Sequence, residues 1–160
     1  MAHDSGMTAD KVYLEDLSEG MVYQSPEYTV DAAQIQAFAR EFDPQPFHLD
    51  DDTARGTFFG GLAASGWHTA AITMNLLVRS LPLAGGIIGT GGEIAWPRPT
   101  RPGDVLRVVS TVLSVVPSGS KPDRGIVTVQ SETTNQRGDV CQRLVARLLV
   151  FRRAVLGQRA

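Results

Sequence analysis

An aspartate and a histidine five positions apart, on a turn stiffened by two prolines, are the residues of this chain best placed to do chemistry: Phe42-Asp43-Pro44-Gln45-Pro46-Phe47-His48. Each proline fixes its own φ and pushes the residue before it out of the helical region, so Asp43 and Gln45 are expected to be extended and the preceding helix to stop here. Carboxylates and imidazoles are the commonest proton carriers near neutral pH, and the two groups on one rigid turn can share a water molecule between them. The same residues also have a purely structural reading, because an Asp before a Pro closes turns and a lone His is often a hydrogen-bonded surface residue.

The flanking sequence says what would hold this turn. Asp31 is followed three residues on by Gln34, and Ile35, Phe38, Ala39 and Phe42 fall on one helical face, which predicts a capped helix ending at Asp43-Pro44. Beyond His48, Asp50, Asp51 and Asp52 are read as caps of a short helix through Ala54. A metal site is the competing use of the three carboxylates, but the run lacks the interval and the glycine of a calcium loop. Arg55 to Gly61 carries Phe58 and Phe59 between glycines; a mobile hydrophobic flap is one reading of it, and ordinary core packing of the two aromatics is the favoured one.

The small apolar run from Leu62 leads into Ser65-Gly66, after which Trp67, Ala71, Met74, Val78 and Leu81 recur at helical spacing. With Ala70, Ile72, Leu76 and Leu77 on its other faces, this longest helix is apolar almost all round and is expected to be buried, with Trp67 and Met74 in its core contacts. Strands are expected around it at Gly92 to Trp96, Asp104 to Val116, Arg124 to Asn135 and Val140 to Phe151, preceded by an edge strand at Met21 to Thr29 interrupted by Pro26 and a short one at Val12 to Leu14. Strands in sequence with no helices between them imply an antiparallel meander, giving an α+β fold with one curved sheet over one helix.

A length of 160 residues suits one domain, read as 11–153 between a polar, disordered tail at 1–10 and a C-terminal tail at 154–160. A net charge of -2 without a basic run argues against a nucleic-acid partner. Cys141 is the single cysteine, so an intrachain disulfide is impossible and no zinc-ligand spacing exists; the chain suits a reducing cytoplasm. No apolar stretch has the length of a membrane span, and the first residues have no signal-peptide character.

Asp43-Pro44-Gln45-Pro46-Phe47-His48 resembles the hydratase motif of the MaoC-like dehydratase family, the (R)-specific enoyl-CoA hydratases, in which Asp, one residue, Asn, Pro, one residue and His occur in order. Pro99-Thr100-Arg101-Pro102-Gly103-Asp104 and Asn135-Gln136-Arg137-Gly138 are similar to the family's turns into its long strands, so that the resemblance runs from about Leu17 to Arg153. It implies a hot-dog fold, a curved antiparallel sheet around a long central helix, assembled as a homodimer or larger even oligomer. It also implies that water adds across a trans-2-enoyl thioester, with Asp43 and His48 as the catalytic pair and coenzyme A as part of the substrate, with no separate cofactor. Gly66, at a helix start where backbone N–H groups are free, is then the oxyanion donor, with Ser65 beside it; tight packing of the helix start is the alternative use of that glycine.

One position departs from the family: Gln45 stands where the motif has Asn, one methylene longer with the same amide, and is expected to brace the loop in its own way or to loosen the pair. Met74-Asn75 stands where some relatives carry Ser-Gly, and no role is carried over there. His68 is read as a helix-face residue, and Arg98 and Arg101 as solvated residues near a strand entry rather than phosphate ligands. Because one fold hosts several activities, a hot-dog thioesterase and a non-catalytic acyl-thioester binding module stand as alternatives. Release of free coenzyme A would mark the first, and binding without turnover the second.

Overall fold

The computed structural model describes residues 10–153, so the tail at 154–160 and all but the last residue of the tail at 1–10 lie outside the described residues. Four helices, α1 (Ala32–Phe42), α2 (Pro46–Leu49), α3 (Asp51–Arg55) and α4 (Gly66–Ser80), lie in the first half of the chain. Strands β1 (Val22–Gln24) and β2 (Tyr28–Thr29) precede them, and β3 (Ile88–Ala95), β4 (Val105–Pro117), β5 (Arg124–Thr134) and β6 (Val140–Phe151) follow. The expected α+β architecture is present, with one six-stranded antiparallel sheet and α4 as its longest helix.

The sheet order is β1-β4-β5-β6-β3, with β2 pairing β4 at the side of β1. A plain meander would have set β3 against β4; instead β3 pairs β6, at the far edge. The 97–104 connection therefore carries the chain from one side of the sheet to the other, past the start of α4. Pro26 breaks the early strand into the short pieces β1 and β2, since proline cannot donate to a ladder. Val12 makes only one parallel bridge, to Leu83, and Leu14–Asp16 forms a 3-10 turn rather than a strand.

The helix that fills the sheet presents the opposite face from the one its apolar spacing suggests. His68, Thr69, Ile72, Thr73, Leu76 and Leu77 are buried, while Trp67, Met74 and Val78 stand 61%, 44% and 60% exposed. A helix apolar nearly all round gives spacing little to choose between faces, and the buried face both packs Ile72, Leu76 and Leu77 into the core and pairs its hydroxyls. The Thr69 hydroxyl donates to that of Thr100 at 2.9 Å, and those of Thr73 and Thr133 pair at 2.6 Å, which satisfies groups that burial would otherwise penalise. Around them Ile35, Ile72, Leu76, Leu106 and Val108 form one core cluster, and Leu14, Leu81, Val112, Val127 and Val150 a second.

The β3 edge depends on a glycine. A Cβ on Gly92 would stand 2.3 Å from the Val145 carbonyl oxygen and 3.0 Å from the Ala146 Cα, both backbone atoms of β6, whereas one on Gly89 meets nothing within 4 Å. Gly92→Ala is expected to lower stability by about 1–3 kcal/mol through overpacking, a fall of roughly 3–10 °C in melting midpoint. Gly89→Ala, made as a control and followed in the same thermal melts, should shift the midpoint far less.

Candidate active site

Helix α1 opens on the predicted capping box, with Asp31 accepting from the Gln34 amide at 2.8 Å and the Gln34 side chain accepting from the Asp31 amide at 3.1 Å. It ends at Phe42, and the Asp43 N–H closes its last turn on the Ala39 carbonyl at 2.9 Å. Gln45 is extended as expected, but Asp43 is not: at φ -151° and ψ 70° it turns the chain sharply into Pro44. Pro46 then starts the short helix α2, a role its fixed φ and missing N–H suit, and this helix carries His48 inward to 4% exposure.

The result is a close pair. His48 Nε2 lies 3.3 Å from the Asp43 carboxylate. The other ring nitrogen, Nδ1, is 2.6 Å from the Ala63 carbonyl oxygen, which can only accept, so Nδ1 carries a hydrogen and donates it. In the neutral ring Nε2 is then a bare acceptor facing a second acceptor, and the natural guest of that arrangement is a water molecule donating one hydrogen to each. Phe47, in edge contact with the imidazole at 4.6 Å, and Phe59, 5.9 Å from it, wall the ring on its apolar sides.

Gln45 braces the pair directly: its side-chain amide donates to Asp43 Oδ1 at 2.6 Å, and its main-chain carbonyl accepts from the His48 amide at 3.0 Å. The extra methylene thus leaves the loop supported. Burial works to raise the Asp43 pKa, but the Ser65 hydroxyl, the Gln45 amide and the neighbouring His48 outweigh it and hold the carboxyl below its ordinary value. A carboxyl depressed in the folded state stabilises the fold above its unfolded pKa and loses that contribution as pH falls through its folded value. Gln45→Leu is therefore expected to move the Asp43 pKa upward and to shift acid unfolding to higher pH, as followed by carboxyl-carbon NMR and an acid titration of the fold.

The pair opens on a cleft of about 530 Å³, lined among others by Gly66, Trp67, Thr69, Trp96, Arg98, Thr100 and Cys141. Gly66 is the first residue of α4, and no hydrogen-bond partner of its amide occurs among the described residues. Its missing side chain is used as well: a Cβ there would stand 2.7 Å from the indole of Trp96, whose own N–H donates to Gln142 at 2.9 Å and whose ring meets Trp67 edge-on at 5.2 Å. Ser65 is 1% exposed; its hydroxyl accepts from the Trp67 amide at 3.2 Å as the cap of α4, and it does not line the cleft. His68 stacks on Phe38 at 4.7 Å, away from the pair, and burial pushes its pKa down.

Several expectations need correcting. Trp67 is no core residue; it lines both this cleft and a neighbouring apolar groove of about 390 Å³, which Met74 also borders. Arg101 is not a solvated entry residue, because its guanidinium binds the main-chain carbonyls of Gly61 and Leu62. Nothing in the sequence marks the Ala63 carbonyl or Trp96: a backbone carbonyl leaves no trace there, and a tryptophan at a strand end reads as packing. The Asp50–Asp52 run serves local structure. Asp50 caps α3 through the Thr53 amide at 2.8 Å, and Asp51 accepts from the Leu62 amide at 2.9 Å. Among the described residues no cluster of three or more His, Cys, Asp or Glu could hold a metal, and no helix is long and apolar enough to cross a membrane.

Comparison with known proteins decides the family, since the family described as MaoC like domain matches residues 16–135. The chain belongs to the MaoC-like family. The crystal structure of the MaoC-like dehydratase from Rhodospirillum rubrum superposes on it with a TM-score of 0.88 at 64% identity, covering 89% of this chain and 98% of that one. The (R)-specific enoyl-CoA hydratase of the same organism is 31% identical over 69% of this chain and 78% of its own length. YdeM of Bacillus subtilis is 33% identical over 78% of this chain and 88% of its own. The fold is thus the hot-dog of this family, with α4 as the helix and β1–β6 as the wrap.

Proposed function

We infer that this protein is an (R)-specific enoyl-CoA hydratase, adding water across a trans-2-enoyl thioester and catalysing the reverse dehydration. The observation that carries this reading is the Asp43 carboxylate facing His48 Nε2 at 3.3 Å while Nδ1 is committed to the Ala63 carbonyl. A water held between carboxylate and imidazole delivers its oxygen to C3 of the enoyl group. The proton it loses passes to the pair and a proton of the pair goes to C2, so the pair is unchanged over one turnover and acts as a coupled unit. Charge moving onto the thioester oxygen needs a donor, and the Gly66 amide at the positive end of α4 is the one we assign.

Coenzyme A enters as part of the substrate, with the flap Phe58 to Gly61 bordering the acyl end. Two further readings accompany this one. The exposed stripe Trp67, Met74 and Val78, together with the edge strand β3, supports a homodimer as the working form; light scattering of the purified protein would refute it by returning a monomer mass. The lone, buried thiol of Cys141 supports residence in the cytoplasm.

The test is loss of the enoyl-thioester ultraviolet absorbance when crotonyl-CoA is mixed with the protein, with free thiol followed in parallel. Turnover without thiol is the expected result. Thiol release would point to a thioesterase, and acyl-CoA binding without turnover, across longer and branched enoyl substrates as well, to a binding module.

A further inference from the structure

Arg101 does not line the cleft, yet its side chain is spent on one short segment beside the dyad. Nη1 donates to the carbonyls of Gly61 at 2.9 Å and Leu62 at 3.3 Å, and Nη2 donates to the carbonyl of Phe59. A guanidinium that collects three carbonyls of one loop acts as a clamp, because its donors lie in a fixed planar fork that a flexible ammonium does not reproduce.

The next peptide along is the one that matters. Ala63 donates its N–H to the Phe47 carbonyl at 3.1 Å and accepts the Nδ1 hydrogen of His48 at 2.6 Å; Ala64 then donates to the Thr100 carbonyl at 2.9 Å, the residue beside Arg101. On the opposite side Asp51 accepts from the Leu62 amide at 2.9 Å. Phe59, whose carbonyl the clamp holds, packs its ring on Phe47 at 4.9 Å and so borders the imidazole. Arg101 is itself held, its amide donating to the carboxylate of Asp104, a residue 2% exposed, at 2.8 Å.

We propose that Arg101 is a positioning residue for the Asp43–His48 pair: by gathering the carbonyls of Phe59, Gly61 and Leu62 it fixes the Ala63 carbonyl, and so decides which ring nitrogen His48 turns toward Asp43. The proposal rests on the hydratase reading of that pair. Without the clamp the Ala63 acceptor shifts, the ring populates the tautomer with hydrogen on Nε2, and the acceptor that would take a proton from water is lost. Arg101 itself does not line the cleft, so the larger part of the defect belongs to kcat.

Arg101→Met keeps most of the stem and removes every donor, while Arg101→Lys keeps the charge. With crotonyl-CoA, Arg101→Met is expected to lose about 10–100-fold in kcat, as misplacement of a reacting group does, with KM within about threefold; Arg101→Lys should recover part of the loss. Ring-nitrogen NMR of His48, recorded without substrate at a pH where the ring is neutral, should show the single Nδ1–H tautomer in the wild type and a mixture in the variants. Wild-type kcat in folded Arg101→Met, or a fall in kcat with the His48 tautomer unchanged, would overturn the proposal. If Arg101→Met does not fold, Arg101→Lys decides it by the same two readings, since an unaltered ring and rate there would also overturn it. A wild type that turns over no enoyl-CoA sinks the hydratase reading instead, and the spectra still decide the role of Arg101.

Discussion

Exchanging His48 for Gln is expected to lower kcat for crotonyl-CoA hydration by about 10²–10⁴, the usual worth of positioned general acid–base help, while KM stays within about threefold. Glutamine is of similar reach and can still donate to the Ala63 carbonyl, so the buried site keeps a polar partner and the fold is expected to hold. What it cannot do is accept a proton from water near neutral pH. Asp43→Asn should fall into the same range, for a different reason: the amide presents donors where the carboxylate presented only acceptors, so the bound water is turned. Because the two groups act on one water, the double variant should be little worse than either single one. Stopped-flow or steady-state absorbance assays, with melts to confirm folding, check all three. Variants that retain wild-type kcat would remove the pair from the chemistry.

The second large effect is expected at Gly66. Gly66→Ala places a carbon 2.7 Å from the Trp96 indole, closer than such atoms come, so either the indole or the start of α4 must move. A loss of about 10²-fold in kcat is expected, in line with misplacement or loss of one oxyanion donor. Two causes are separable by a second substitution. If the methyl acts only by pushing Trp96, then Gly66→Ala combined with Trp96→Leu, which clears the space, should regain most of the rate. If the methyl keeps the thioester oxygen from the amide, the double variant stays as slow as Gly66→Ala alone. The first result would assign the glycine to packing, the second to the reacting oxygen.

Much of this was legible in the sequence, and the residues that were not share a physical cause. The Asp31 capping box, the stop at Asp43 and the strands β4 to β6 follow from rules that act over a few residues, and they stand within a residue or two of where spacing puts them. Asp43 and His48 are visible because two prolines flag the turn, whereas the four-residue helix at Pro46 is too short to leave a periodic pattern. The buried face of α4 is not legible in the sequence, because apolar residues surround the helix and the partners of that face, among them Leu106, Thr100 and Thr133, lie far along the chain. The partners of His48 Nδ1 and of the Arg101 guanidinium are carbonyl groups, which every residue owns and none advertises. The edge position of β3 is hidden for a related reason, since local alternation fixes that a strand exists and leaves its neighbour to the rest of the chain.

That last placement sets a timetable for folding. The dyad turn is local in sequence, although the Ala63 carbonyl that orients His48 is held only once Thr100 and Arg101 have been made. The wall across from it is different: Trp96 is fixed by Gln142, 46 residues later, and β3 has no partner until β6 exists. Contacts so distant in sequence close late and slowly. On a ribosome, the chain would therefore carry its proton-handling residues for a long stretch of synthesis without the contacts that orient His48 or a cavity in which to use them, and catalytic competence would come only with β6.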